Sequence, residues 1–200
     1  MQRQNEYIGD DNFKKFLDHY DCKVPLEVVK MRFAGAICSP NFELRPTDVI
    51  SSFWPEGLSP RLETKNEAEL FFKFFMGLWD KIFEDIGFNC LKLSKQDTLT
   101  PEERADMRYE EIALGFLEGF WGGLNDLKIP AYLGEVIDSL EELTGVYQIL
   151  KKRAEKGEDA KMIVSTLNDT DKMVQKTLSF IVENFALPRI RQIGTDSLKN

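Results

Sequence analysis

The hydrophobic pattern of the chain centres on one broad apolar arc between Tyr109 and Leu127. At about 100° per residue, Ile112, Ala113, Phe116, Leu117, Phe120, Trp121, Leu124 and Leu127 share one side of a helix. Glu111, Glu118 and Asn125 are left on a narrow polar strip. An arc that wide needs neighbours on two sides. Gly115, Gly119 and Gly123 recur every fourth residue along its edge, where a neighbouring backbone can come closer than a side chain would allow. Each glycine weakens a helix by roughly 1 kcal/mol relative to Ala, a loss that close packing offsets. The stretch is therefore expected to be the buried axis of an all-α domain.

Other segments repeat the helical period. Asp11 or Asn12 can cap a short helix bearing Phe13, Phe16, Leu17 and Tyr20. A second helix is expected from Pro25 to Cys38, with Leu26, Val29, Phe33, Ala36 and Ile37 inward, and Pro40 ends it. Thr47 to Trp54 can form two turns before Pro55, Gly57 and Pro60. Asn66 is expected to cap a long helix, Glu67 to Ile86, with Gly87 closing it. Its aromatic arc makes it the expected partner of the glycine-edged helix.

Thr100-Pro101-Glu102-Glu103 combines a capping box with proline at the first helical position. The central helix can thus run from Pro101 to Leu127, or break near Met107. Pro130 opens another helix reaching towards Gly157. A short helix, Asp159 to Leu167, and a last one, from Asp169 or Thr170 to about Leu187, complete the pattern. No strand-length alternation is present. The expected architecture is one domain over residues 11–192 with six to eight helices, flanked by flexible ends at 1–10 and 193–200.

Composition narrows the function. With 42% hydrophobic and 30% charged residues the chain is neither disordered nor short of core material. A net charge of -8 argues against direct nucleic-acid binding, which needs concentrated Lys and Arg. Lys151-Lys152-Arg153 and Arg189 with Arg191 fall near helix ends, where cations complement the dipole. Three scattered cysteines support neither a disulfide framework nor a zinc ribbon, and a reducing cytoplasm is expected. No apolar run is long enough for a membrane span.

Candidate chemistry is sparse. His19 is the lone histidine, which excludes His-pair mechanisms and the paired Glu-x-x-His motifs of di-iron bundles. Glu111 and Glu118, two turns apart, could share a metal or a proton if they converge; otherwise their strip faces water or meets a basic neighbour. Phe42, Phe53 and Trp54 lie in an irregular segment and either plug the core or expose a docking patch. No nucleophile elbow, phosphate-binding loop or dinucleotide fingerprint occurs. No catalytic, cofactor-binding or metal-ligating residue is assigned.

Phe33-Ala34-Gly35-Ala36-Ile37, Ser39-Pro40-Asn41, Pro46 and Trp54-Pro55 together resemble the amino-terminal half of the uncharacterised bacterial YgfB/YecA-like family. Phe75-Met76-Gly77-Leu78-Trp79 and Gly115-Phe116-Leu117-Glu118-Gly119-Phe120 resemble its two later blocks, so the resemblance spans roughly residues 25–127. It implies an all-helical bacterial protein without an assigned catalytic activity, linked to regulation. The resemblance does not extend to the carboxy-terminal cysteine-rich zinc module of some members, which is expected to be absent because no cysteine follows Cys90 in this sequence. The expectation is a noncatalytic protein whose partner is another protein, with self-association through residues 169–187 compatible. The alternative is a protein that binds a small ligand or divalent metal through Glu111 and Glu118.

Overall fold

A computed structural model describes residues 6–41, 43–55, 60–124, 127–188 and 190–191. Those residues form seven helices and no strand. They are α1 (Asp10–His19), α2 (Leu26–Cys38), α3 (Pro46–Ser51), α4 (Lys65–Gly87), the central rod α5, α6 (Ala131–Glu155) and α7 (Ala160–Ile181). The rod is continuous through three parts: an α-helical Pro101–Tyr109, a π-helical Glu110–Leu117 and a last α-helical turn, Glu118–Trp121. A π-helical turn, Val182–Ala186, extends α7.

The capping box starts the rod as its sequence predicts: Glu103 N–H donates to Thr100 Oγ1 and Thr100 N–H to Glu103 Oε2. The rod stops earlier than expected, at Trp121. Gly122 turns left-handed at φ 56°, and its N–H donates to Glu118 O. Gly123 also has a positive φ, 77°, and a Cβ there would meet nothing within 4 Å. It ends the rod and packs no neighbour, whereas Gly115 and Gly119 do face another backbone.

That backbone belongs to α2, not to α4 as the aromatic pattern suggests. A Cβ on Gly119 would lie 2.0 Å from Arg32 O, and one on Gly115 would lie 2.8 Å from Met31 Cβ. Gly35 of α2 reciprocates, 1.9 Å from Phe116 O by the same construction. Ten of the thirteen α2 residues are buried, Arg32 among them, so neighbours cover most of the helix's circumference. The core thus has a paired axis. On the far side of α2, Phe13, Phe71 and Phe75 from α1 and α4 close an aromatic cluster, with Phe33 edge-on to Trp79 at 5.2 Å.

Three more boundaries move. Thr64, not Asn66, caps α4, its side chain accepting from Glu67 N–H. The left-handed residue beyond α4 is Asn89, at φ 53°, rather than Gly87. The two final helices fuse into α7. Asp159 caps it by accepting from Lys161 N–H, while Thr170 is buried mid-helix and donates to Thr166 O. Residues 6–8, expected to fray, instead lie against the fold: Gly77 leaves room for the Glu6 carbonyl, and Tyr7 and Ile8 pack on the core.

Candidate functional site

The rod carries two polar centres, one near each end. The first forms around Arg108, whose guanidinium is buried between the rod, the 88–99 connection, α6 and α7. Nη1 donates to Glu111 and to Ser94 Oγ, Nη2 to Ser94 O, and Nε to both oxygens of Asp171 at 3.1 Å. Glu111, 1% exposed, also accepts from Ser94 N–H and Gln96 Nε2, each at 3.1 Å. Asp171 accepts further from Arg104 and from Tyr147 Oη at 2.7 Å. Burial pulls the Arg108 guanidinium down, but Glu111 and Asp171 outweigh it and hold it above its ordinary value. Burial, then the charge of Asp171, pushes the Tyr147 phenol far up. Such a closed set of charge-assisted bonds orders the elements that make it.

The second centre forms around Arg32. All five of its N–H donors are used: Nε and Nη2 bond Leu114 O at 2.9 and 2.6 Å, and Nη1 bonds Ser52 O and Oγ at 3.0 and 3.1 Å. Nη2 also meets Glu118 Oε2 at 2.6 Å. Leu114 O is open to it because the π-helical stretch redirects the ladder: Glu118 N–H donates to Ala113 O and Gly115 O instead. Burial lowers the Arg32 guanidinium against the opposing pull of Glu118.

Beside this second centre lies a cleft of about 770 Å³ between α3, the second half of the rod and the middle of α6. Leu44, Val49, Ala113, Leu117, Trp121 and Leu124 supply its apolar lining, and Asp48, Glu118, Glu141 and Arg32 its charges. Its volume falls within the range of small-ligand and peptide-anchor sites. Leu124 is 41% exposed at its edge.

Glu111 and Glu118 do not share a strip. Glu111 is closed in the Arg108 centre, while Glu118, half exposed, lines the cleft, and they have no partner in common. The wider turn of the π-helical stretch between them breaks the 100° spacing that aligned them. Asn125 lies outside the described residues, as does Phe42. Phe53 and Trp54 are core residues, not docking groups: Phe53 stacks on Phe75 at 5.8 Å under Arg32, and Trp54 Nε1 donates to Tyr20 O at 2.9 Å. On α7, within the span expected to self-associate, Met173 and Phe180 are exposed, and Met162 precedes them on the same face.

Sequence reasoning passed over Arg32, Arg108, Tyr147 and Asp171. A signal existed for the first, because Arg32 and Lys30 are the only charged residues in the run from Val28 to Ala36. Among the described residues no group of three or more His, Cys, Asp or Glu could hold a metal ion, and no helix is long and apolar enough to cross a membrane. No family model matches the sequence, and neither a curated protein nor a solved structure matches it.

Proposed function

We propose that this chain is a noncatalytic, cytoplasmic binding protein of the YgfB/YecA-like type, and that its recognition site for another protein is the cleft between α3 and α6. The cleft itself carries the reading. It is open along one side, its floor is apolar, and its guanidinium and its Ser52 and Thr144 hydroxyls are tied into the fold. Glu118 is held by Arg32, Ser52 Oγ donates to Val49 O and Thr144 Oγ1 donates to Glu141 O. A hydroxyl that donates to a backbone carbonyl is not activated as a nucleophile by a neighbouring base. A groove that receives an apolar anchor needs only complementary walls. The π-helical stretch supports the same location, since such stretches concentrate at functional sites.

A photo-cross-linking residue in place of Leu124, at the cleft edge, tests the reading in host cells, with a second probe in place of exposed Met162 as the comparison. A protein adduct formed from position 124, not from 162, and lost in an Ala113→Arg variant that keeps its helical spectrum is the expected result. Adducts of equal strength from both positions would overturn it, as would a small molecule retained in the cleft under native mass spectrometry.

Self-association is a second, compatible reading. It is favoured by the exposed Met162, Met173 and Phe180 on one face of α7. Sedimentation of the chain and of a Phe180→Glu variant distinguishes a monomer from a dimer built on that face.

A further inference from the structure

The chemistry of the cleft wall specifies what the partner must bring. Its side-chain hydrogen-bond donors other than the Tyr109 hydroxyl are spent: the five of Arg32 within the fold, the Ser52 hydroxyl on Val49 O, the Thr144 hydroxyl on Glu141 O and the Trp121 indole on Glu141 Oε1. Its acceptors are in surplus. Three carboxylates line it, Asp48, Glu118 and Glu141, against one guanidinium. Even when Arg45, which grips Asp48 in a two-bond ion pair, is counted against it, Glu141 has no ion-pair partner among the described residues.

Outside the lining, α6 sets an acidic charge around the cleft. From Ala131 to Leu150 the helix carries Glu135, Asp138, Glu141 and Glu142 and no Lys or Arg. An anionic ligand would meet like charge and find few free donors, whereas a cationic one finds acceptors at both sides of an apolar floor.

Resting on the cleft as the recognition site, we infer that its occupant is a basic amphipathic segment of a partner protein. One or two large apolar side chains of that segment fill the floor beside Leu117, Trp121 and Leu124. Lys or Arg residues flanking them meet Glu141 and the outer oxygen of Glu118. A helical segment supplies this arrangement, because anchors at i and i+4 and cations at the positions between them face the floor and the rims.

The test uses two synthetic helical peptides of equal length, one built of Leu and Lys and the other of Leu and Glu, titrated into the whole chain. Binding is read by the fluorescence of Trp121, with a Trp121→Phe variant fixing the contribution of Trp54 and Trp79. The Leu/Lys peptide is expected to bind and the Leu/Glu peptide not. Glu141→Lys should weaken binding by roughly tenfold or more, and the same charge change on α1, Asp11→Lys, should leave it within about twofold.

Equal binding of both peptides, or equal losses in the two charge variants, overturns the inference. If neither peptide binds while the position-124 cross-link still captures a protein, the charge assignment falls and the cleft reading stands. Loss of both removes both.

Discussion

Gly35 and Phe116 meet backbone to backbone: a Cβ built on Gly35 would lie 1.9 Å from the Phe116 carbonyl oxygen and 2.8 Å from its carbon. Backbone atoms cannot step aside by changing rotamer. Overpacked cores that relax through side chains lose about 1–3 kcal/mol, so Gly35→Ala should lose about 3 kcal/mol or more. Gly119→Ala, aimed at Arg32 O from the other helix, should match it. Gly145 sits within α6 with nothing near its Cβ position. Gly145→Ala should therefore gain about 0.5–1 kcal/mol. Urea unfolding of the three variants checks the contrast, and similar losses in all three would show that α2 and the rod are not in contact.

Glu111 and Glu118 carry the same charge on the same rod and should respond unequally to removal. Glu111→Ala leaves the buried Arg108 without its nearest anion, a change that typically costs about 3–5 kcal/mol. Glu118 is half exposed, and Arg32 keeps its bonds to Leu114 O and Ser52 without it. Glu118→Ala should thus cost about 1 kcal/mol or less. Equal losses in thermal or urea unfolding would contradict the separation of the two centres.

The fate of that pair shows what the sequence could and could not reveal. Apolar periodicity marked every helix, because burial of one face writes a local repeat. The glycines marked a close approach, and two of the three make it. The partner helix was not legible, since Gly35 and Gly119 are 84 positions apart and nothing local couples them. The π-helical stretch was not legible either, because the carbonyl it leaves open, that of Leu114, is taken by Arg32 from another helix. With the turn widened there, a strip drawn at constant angle could not place Glu111 beside Glu118. The cleft draws its walls from α3, the rod and α6, so its chemistry emerges only when tertiary packing assembles them.

The single helix α7 separates two aspartates that look alike as caps. Asp159 accepts from Lys161 N–H at the true start, so Asp159→Ala should lose about 0.5–2 kcal/mol. Asp169 lies inside the helix and pairs with Lys172 at the surface. Asp169→Ala should stay within about 0.5 kcal/mol of the parent. Amide exchange across residues 165–172 gives a second measure: continuous protection is expected, and a fast-exchanging break at Thr170 would restore two helices.

Tyr147 and Asp171 link stability to high pH. Burial first, and then the adjacent Asp171 charge, raises the phenol above its ordinary value of 10.0, so the folded chain holds this proton more tightly than the unfolded chain. The sign follows from proton linkage: the contribution is fully present below the unfolded value and declines as pH rises above it towards the folded value. Near pH 11 the decline from this one group should reach about 1.4 kcal/mol. Tyr147→Phe should remove that slope while lowering stability at neutral pH by about 1–3 kcal/mol through loss of the bond to Asp171. Tyr7 and Tyr20, also raised, are common to both chains and cancel in the difference. Urea midpoints at about pH 8 and about pH 11 decide the matter, because a parent and a variant that fall in parallel would mean that the phenol reaches water.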